Sequence, residues 1–157
     1  MTEGYAIELT VNGRQVSAEV RADETLLEFL RTQLRIIDAK SGCGKGDCGT
    51  CTVLLDGLPV KSCIVLAASA DGKDVKTLSG MQNEPLVKAL QESFVTHGAV
   101  QCGFCTPGMI LTAASYLNEH KNPSRDDIRR ALSGNLCRCT GYKKIVDATQ
   151  AVARRNE

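Results

Sequence analysis

Gln101-Cys102-Gly103-Phe104-Cys105-Thr106-Pro107-Gly108 and Cys137-Arg138-Cys139-Thr140-Gly141-Tyr142 are the stretches from which the rest of the chain can be read. Four cysteines fall there in two tight pairs, and each pair is followed by residues that open helices. Thr106 is a good N-cap residue and Pro107 a good first helical residue. Beyond Thr140-Gly141, the apolar spacing Ile145, Val146, Thr149, Val152 predicts a helix starting near Tyr142. Two helices are thus expected to begin where two thiol pairs sit. A helix N-terminus carries partial positive charge and unpaired N–H groups, which favour thiolates and any anionic centre they hold. Four thiolates presented this way make a four-ligand metal site. The echo of Cys-Thr-Pro in Cys-Thr-Gly hints at a two-fold relation between the helix starts.

Around these pairs the pattern is helical. Met109, Ile110, Ala113, Ala114 and Leu117 form one face after the first pair. Asn122-Pro123 breaks that helix, and Ser124 with Asp127 makes a capping box for the next, which carries Ile128, Ala131 and Leu132. Gly134-Asn135 stop it. Upstream, Asn83 is expected to cap a helix bearing Leu86, Ala89, Leu90 and Phe94, with Gly98 at its end. Before about Leu78 the period is that of strands. Tyr5 to Val11 alternate apolar and polar, Asn12-Gly13 is a hairpin turn, and Val16, Ala18 and Val20 return. Thr25 with Glu28 reads as a capping box for a helix carrying Leu26, Leu27, Phe29, Leu30 and Leu34. Thr52 to Leu55, the Asp56-Gly57 turn and Leu58 to Cys63 make a second hairpin, with Pro59 suited to an edge. Asp74 to Leu78 can add a further short strand. A small α+β unit over 1–78 is therefore followed by four helices over 79–157, with the boundary near Ser79-Gly80-Met81.

The first unit carries its own cysteine set in Ser41-Gly42-Cys43-Gly44-Lys45-Gly46-Asp47-Cys48-Gly49-Thr50-Cys51, with Cys63 downstream. Cys43-x4-Cys48-x2-Cys51 is the plant-type spacing for a [2Fe–2S] cluster. Three ligands from one short loop wrap a small flat centre, and a fourth arrives from a neighbouring strand. The glycines let the backbone turn and aim N–H groups at the sulfurs. Structural zinc takes two short knuckles, into which this loop does not divide. Gly44-x-Gly46-x-x-Gly49 also matches a dinucleotide fingerprint, but that motif needs a strand before it and a helix after it, and here a strand follows. For Cys102, Cys105, Cys137 and Cys139, spacing alone leaves zinc open. The plant-type loop in the same chain favours iron. His97 and His120 read as caps at helix C-termini, and Asp126-Asp127 as a first-turn acidic pair.

The chain has 157 residues, 43% hydrophobic, with a formal net charge of +1 and eight cysteines. No run of either charge points to nucleic acid or a charged membrane surface. No apolar stretch reaches spanning length and no export signal is visible, so a cytoplasmic protein is expected. In a reducing compartment clustered thiols are metal ligands or redox groups before they are disulfides. Cys137-Arg138-Cys139 is also too tight for an easy bridge within the pair.

Taken together, Gly42-Cys43 to Cys51, Cys63, Gln101 to Gly108, and Asn135-Leu136-Cys137 to Tyr142 resemble the small iron–sulfur subunit of the molybdenum hydroxylases. These are the relatives of xanthine dehydrogenase, carbon monoxide dehydrogenase and aldehyde oxidoreductase. The resemblance runs from Tyr5 to the last helix. Thr50 stands where many members carry Ala, and being small it is expected not to disturb the loop. The resemblance implies an α+β chain, an N-terminal β-grasp plant-type ferredoxin domain followed by a C-terminal four-helix bundle. It implies two [2Fe–2S] clusters, one held by Cys43, Cys48, Cys51 and Cys63, the other by Cys102, Cys105, Cys137 and Cys139. It further implies that Gln101 and Cys139 contact the molybdopterin of a large partner subunit, and that a medium partner carries FAD. A chain of this length has no room for either cofactor's domain. It is expected to be an electron-transfer subunit of a molybdenum-dependent oxidoreductase, passing electrons singly to a flavin or other acceptor. The other readings are a free-standing two-cluster ferredoxin and a zinc-stabilised interaction module.

Overall fold

The structure, a computed structural model, describes residues 4–154. Its first half is built on a five-stranded sheet. β1 (Gly4–Val11) and β2 (Arg14–Arg21) pair antiparallel in the register set by Asn12-Gly13, with Val11 opposite Arg14. Both turn residues have positive φ, 51° and 78°, as a two-residue turn matched to strand twist requires. β3 (Thr52–Leu55) and β4 (Leu58–Lys61) form the second hairpin across Asp56-Gly57. β5 (Asp74–Lys76) lies between them, parallel to β1 and antiparallel to β3, so the order is β2-β1-β5-β3-β4. The short strand is thus central, and β4 with Pro59 is at an edge, where a missing N–H costs no ladder bond.

α1 (Leu26–Glu28) runs on into a wider π-helical turn, Phe29–Gln33. The capping box forms as expected: Glu28 N donates to Thr25 Oγ1 at 3.2 Å and Thr25 N donates to Glu28 Oε2 at 2.9 Å. Leu26, Leu27, Phe29 and Leu30 are buried in one cluster with Ile7, Leu9, Val53 and Val75 of the sheet.

The second half holds α2 (Leu78–Met81), α3 (Pro85–Thr96), α4 (Thr106–Glu119), α5 (Arg125–Ala131) and α6 (Lys143–Ala153). Leu90, Phe94, Met109, Ile110, Ile128, Leu132, Ile145 and Val152 make their cluster, joined by Leu54 from β3. α4 is buried almost all round from Gly108 to Ser115. It packs against β3 and β4, and Ser115 Oγ donates to Gly57 O at 3.1 Å. Among the described residues no helix is long and apolar enough to cross a membrane.

Three boundaries and the two-fold echo differ from expectation. β4 ends at Lys61, and Cys63 lies in a 3₁₀ turn, Ser62–Ile64, not in a strand. The chain curls there because the Ser62 hydroxyl donates to Cys51 O at 2.7 Å. Glu84, not Asn83, caps α3, since Pro85 opens the helix and holds the residue before it extended. Cys105 takes the N-cap place of α4 expected for Thr106, because a Thr106 N to Gly103 O bond of 3.3 Å already turns the chain there. The two-fold echo does not extend to the backbone. Cys105 abuts α4, whereas Cys139 is separated from α6 by Thr140, Gly141 and a left-handed Tyr142.

Candidate metal centres

The loop from Ser41 to Cys51 brings three thiols to one side of β3, and the turn after β4 brings the fourth. Cys43 interacts with Cys48, and Cys63 with Cys51 first and then with Cys43. Cys48 N and Lys45 N both donate to Cys43 Sγ at 3.4 Å. These amide hydrogens, Cys48 first, hold the Cys43 thiol down to about 6, which favours its thiolate. Burial, and then the neighbouring Cys51, push Cys63 up to about 11, and the Gly46 amide only partly offsets this. A buried thiol of that kind loses its proton when a cation replaces it. β3 follows the loop directly, so the Gly44-x-Gly46-x-x-Gly49 match lacks the helix that a dinucleotide site needs.

The second set forms two pairs, each taking one thiol from either loop. Cys102 Sγ and Cys139 Sγ are 3.6 Å apart and exposed. Cys105 and Cys137 interact below them. Burial, then Cys137, push the Cys105 thiol up to about 12. Burial also raises Cys137, but the Thr140 hydroxyl and amide, at 3.1 and 3.5 Å from its sulfur, help outweigh it and leave that thiol below its ordinary value. The hydrogen bond with Cys102 raises Cys139. Helix starts therefore do less for the thiolates than the sequence implies. The amides of Lys45, Cys48 and Thr140, at 3.4 to 3.5 Å from sulfur, all lie outside the first turns of α4 and α6.

Gln101 is exposed, and its Nε2 donates to Cys139 O at 3.0 Å, tying one cysteine loop to the other. Phe104, Leu136 and Tyr142, in the two loops that carry these cysteines, are large side chains left exposed. The Tyr142 hydroxyl turns back to accept from Cys137 N at 3.0 Å. His97 and His120 cap their helices as expected, each ring nitrogen meeting a carbonyl four residues back, Ser93 O at 2.9 Å and Tyr116 O at 3.1 Å. Asp126 and Asp127 fall in the first turn of α5.

The two thiol sets meet through the backbone. Leu136 N donates to Cys48 O at 2.8 Å, so a single hydrogen bond joins one thiol-bearing residue to the neighbour of another. Beside it, buried Asn135 donates from Nδ2 to Gly49 O at 2.9 Å and Thr52 Oγ1 at 3.2 Å, and accepts from Thr112 Oγ1 at 3.0 Å. The sequence marks Asn135 as a helix stop at the head of the second cysteine motif and Thr50 as a small residue of the first loop, and gives neither a bonding role. Their one local cue is closeness to a cysteine, Asn135 two residues before Cys137 and Thr50 between Cys48 and Cys51.

Pairing in twos matters chemically. A single zinc ion draws four sulfurs round one point at about 2.3 Å each. Among the described residues no three His, Cys, Asp or Glu side chains converge on such a point. A [2Fe–2S] cluster takes four thiolates, two on each iron. Two thiol pairs with amide and hydroxyl hydrogens aimed at their sulfurs suit that group in both loops.

Comparison with known proteins follows the same division. Residues 9–79 match the family described as "2Fe-2S iron-sulfur cluster binding domain", and residues 77–150 match "[2Fe-2S] binding domain". The nicotine 6-hydroxylase small subunit of Paenarthrobacter nicotinovorans is 45% identical over 90% of this chain and 86% of its own. The xanthine dehydrogenase iron-sulfur-binding subunit of Escherichia coli O157:H7 is 43% identical over 93% and 92%. Among solved structures, quinoline 2-oxidoreductase from Pseudomonas putida 86 contains a chain that superposes with a TM-score of 0.88 at 44% identity, covering 98% of each chain.

Proposed function

The chain belongs to the small [2Fe–2S] iron–sulfur subunits of the molybdenum hydroxylases, and from that premise we propose how its residues carry electrons within such an enzyme. Cys43, Cys48, Cys51 and Cys63 hold one cluster, and Cys102, Cys105, Cys137 and Cys139 hold the other. Each such cluster, when bound, supplies a one-electron relay. The observation that carries this reading is the gathering of the thiols, Cys139 Sγ 3.6 Å from Cys102 Sγ, with N–H groups of Lys45, Cys48 and Thr140 on the sulfurs of Cys43 and Cys137. Those hydrogens stabilise negative charge on the ligands, and so favour the reduced state.

In the same reading, residues 1–78 are a β-grasp plant-type ferredoxin domain and residues 79–157 a four-helix [2Fe–2S] domain. Support comes from the sheet with α1 over the first cluster of apolar residues, and from α3 to α6 around the second. The exposed Cys102–Cys139 pair, with Gln101 beside it, faces a large partner subunit that holds molybdopterin. Gln101 and Cys139 are its contacts. The Gln101 amide reaches Cys139 O through Nε2, which leaves Oε1 for a donor on the cofactor. The first set faces a medium partner carrying FAD, or another acceptor. Electrons enter by the second loop pair and leave by the first, across the Cys48–Leu136 bond. In this reading the working protein is cytoplasmic, since a reducing compartment keeps cysteines available as metal ligands.

The test is iron and sulfide analysis of the purified complex with paramagnetic resonance on reduced samples. About four iron and four sulfide per chain and two distinguishable one-electron centres are expected. Stoichiometric zinc in place of iron at either set removes the reading for that set.

A further inference from the structure

The hydroxyl of Thr50 has no part in the ligand set or in the Asn135 junction, yet it is built into the first site. Thr50 is only 6% exposed. Its Oγ1 lies 3.3 Å from Cys48 Sγ and 3.4 Å from Lys40 O. Gly42 closes over this pair. A Cβ at residue 42 would stand 2.6 Å from Thr50 Oγ1 and 2.9 Å from Cys48 Sγ. Gly42 is absent from the glycines with positive φ, so room, not backbone conformation, is what a side chain there would violate. The hydroxyl thus sits in a closed niche with two acceptors to choose from.

The choice follows from chemistry. A free Cys48 thiol could donate to the hydroxyl. As a metal ligand the sulfur is a thiolate, which can only accept. O–H···O bonds run at about 2.5–3.0 Å, so the Lys40 carbonyl is too far for a good one. Sulfur is larger, and 3.3 Å suits it. Resting on Cys48 as a cluster ligand, we propose that Thr50 donates its hydroxyl hydrogen to the Cys48 sulfur and raises the reduction potential of the first centre. It is a positioning residue that acts through Cys48. Reduction adds one negative charge to a centre whose ligands share it. A buried donor on one sulfur stabilises that state more than the oxidised one.

The second set has a counterpart in Thr140, whose hydroxyl lies 3.1 Å from Cys137 Sγ. Cys48 and Cys137 are the cysteines that the Cys48 O to Leu136 N bond brings into near-covalent succession. Without Thr50 only the second centre would have such a hydroxyl, and the downhill direction would weaken. With Thr50 each centre has one such hydroxyl, and the second gains no advantage from its own.

The experiment is a redox titration of the assembled complex followed by low-temperature paramagnetic resonance. Thr50→Val keeps the shape and removes the donor. The reduced-to-oxidised ratio of the first centre at a fixed ambient potential should fall about tenfold, which is 59 mV for one electron. The second centre should not move, and Thr50→Ser should restore the first. Resonance Raman in deuterated water gives a second readout: the iron–thiolate bands of the first centre should shift in wild type and Thr50→Ser but not in Thr50→Val. If Thr50→Val loads no iron, Thr50→Ala carries the same comparison. An unmoved potential at full iron occupancy, or a Thr50→Ser variant that behaves like Thr50→Val, overturns the proposal. The premise fails separately: Cys48→Ser with full iron and both resonance signals intact would remove Cys48 from the ligands.

Discussion

Asn135 engages both ends of its side-chain amide in buried bonds to three other segments, the Gly49 carbonyl, the Thr52 hydroxyl and the Thr112 hydroxyl. It is 4% exposed, so water cannot replace a lost partner. Asn135→Ala would strand the Thr112 hydroxyl and take a donor from Gly49 O. Leaving a buried polar group unpaired costs about 1–3 kcal/mol, more than the roughly 1 kcal/mol that a satisfied bond contributes. The urea midpoint followed by circular dichroism should fall accordingly. Asn135→Asp should be worse, because a carboxylate would face the Gly49 carbonyl oxygen with no donor of its own. If Asn135→Ala unfolds at the wild-type midpoint, the junction is not held by this side chain. Nothing at residue 135 in the sequence announces this role. Asn after Gly reads locally as a chain stop, and the partners at 49, 52 and 112 are distant in sequence.

At the scale of elements, the approach of α4 to the first cysteine loop turns on Gly108. Gly to Ala inside a helix ordinarily stabilises by about 0.5–1 kcal/mol, through the backbone freedom removed from the unfolded chain. Here a Cβ would run into the Gly49 carbonyl and come within 3.0 Å of Asn135 Nδ2. Overpacking of that kind costs about 1–3 kcal/mol, so the sign reverses and Gly108→Ala should lower the thermal midpoint. Ser124→Ala, which removes only the cap of α5, should cost about 1 kcal/mol and leave both metal centres as they are. The two variants separate what was legible in the sequence from what was not. Both capping boxes and both tight turns could be read, because each is decided within four residues. The alternation of Ile7, Leu9 and Val11 likewise marked the buried face of β1. The central place of β5 could not be read, since three residues carry no trace of the strands they join. Cys63 leaving its strand depends on a Ser62 hydroxyl bond to a carbonyl eleven residues back. The eight thiols were visible by spacing, but their grouping in twos, and the hydroxyls of Thr50 and Thr140, exist only once the loops are folded against each other.

At the scale of the molecule, the question is whether the two thiol sets stand or fall together. The second set is borne by loops that enter and leave α4, α5 and α6, and these helices share a core of their own around Phe94, Ile110, Ile128 and Ile145. The first is borne by a glycine-rich loop that contributes little to the apolar cluster beneath it beyond Cys51. Between the two loops run the Leu136–Cys48 bond and the Asn135 bonds, and behind them α4 packs on β3 and β4. Removing a ligand from the first set should therefore loosen that loop without dissolving the helical core. In Cys48→Ser, iron should fall from about four to about two per chain and one of the two paramagnetic signals should vanish. The remaining signal should still be reduced by substrate in the assembled enzyme, while turnover with the natural acceptor falls, since the proposed onward route runs through the damaged loop. The converse variant, Cys102→Ser, should stop reduction by substrate altogether, yet leave the first centre reducible by dithionite. Loss of all iron in Cys48→Ser would mean that the junction makes one cooperative unit of the two sets. Retention of acceptor turnover would mean that electrons leave by another face of the chain.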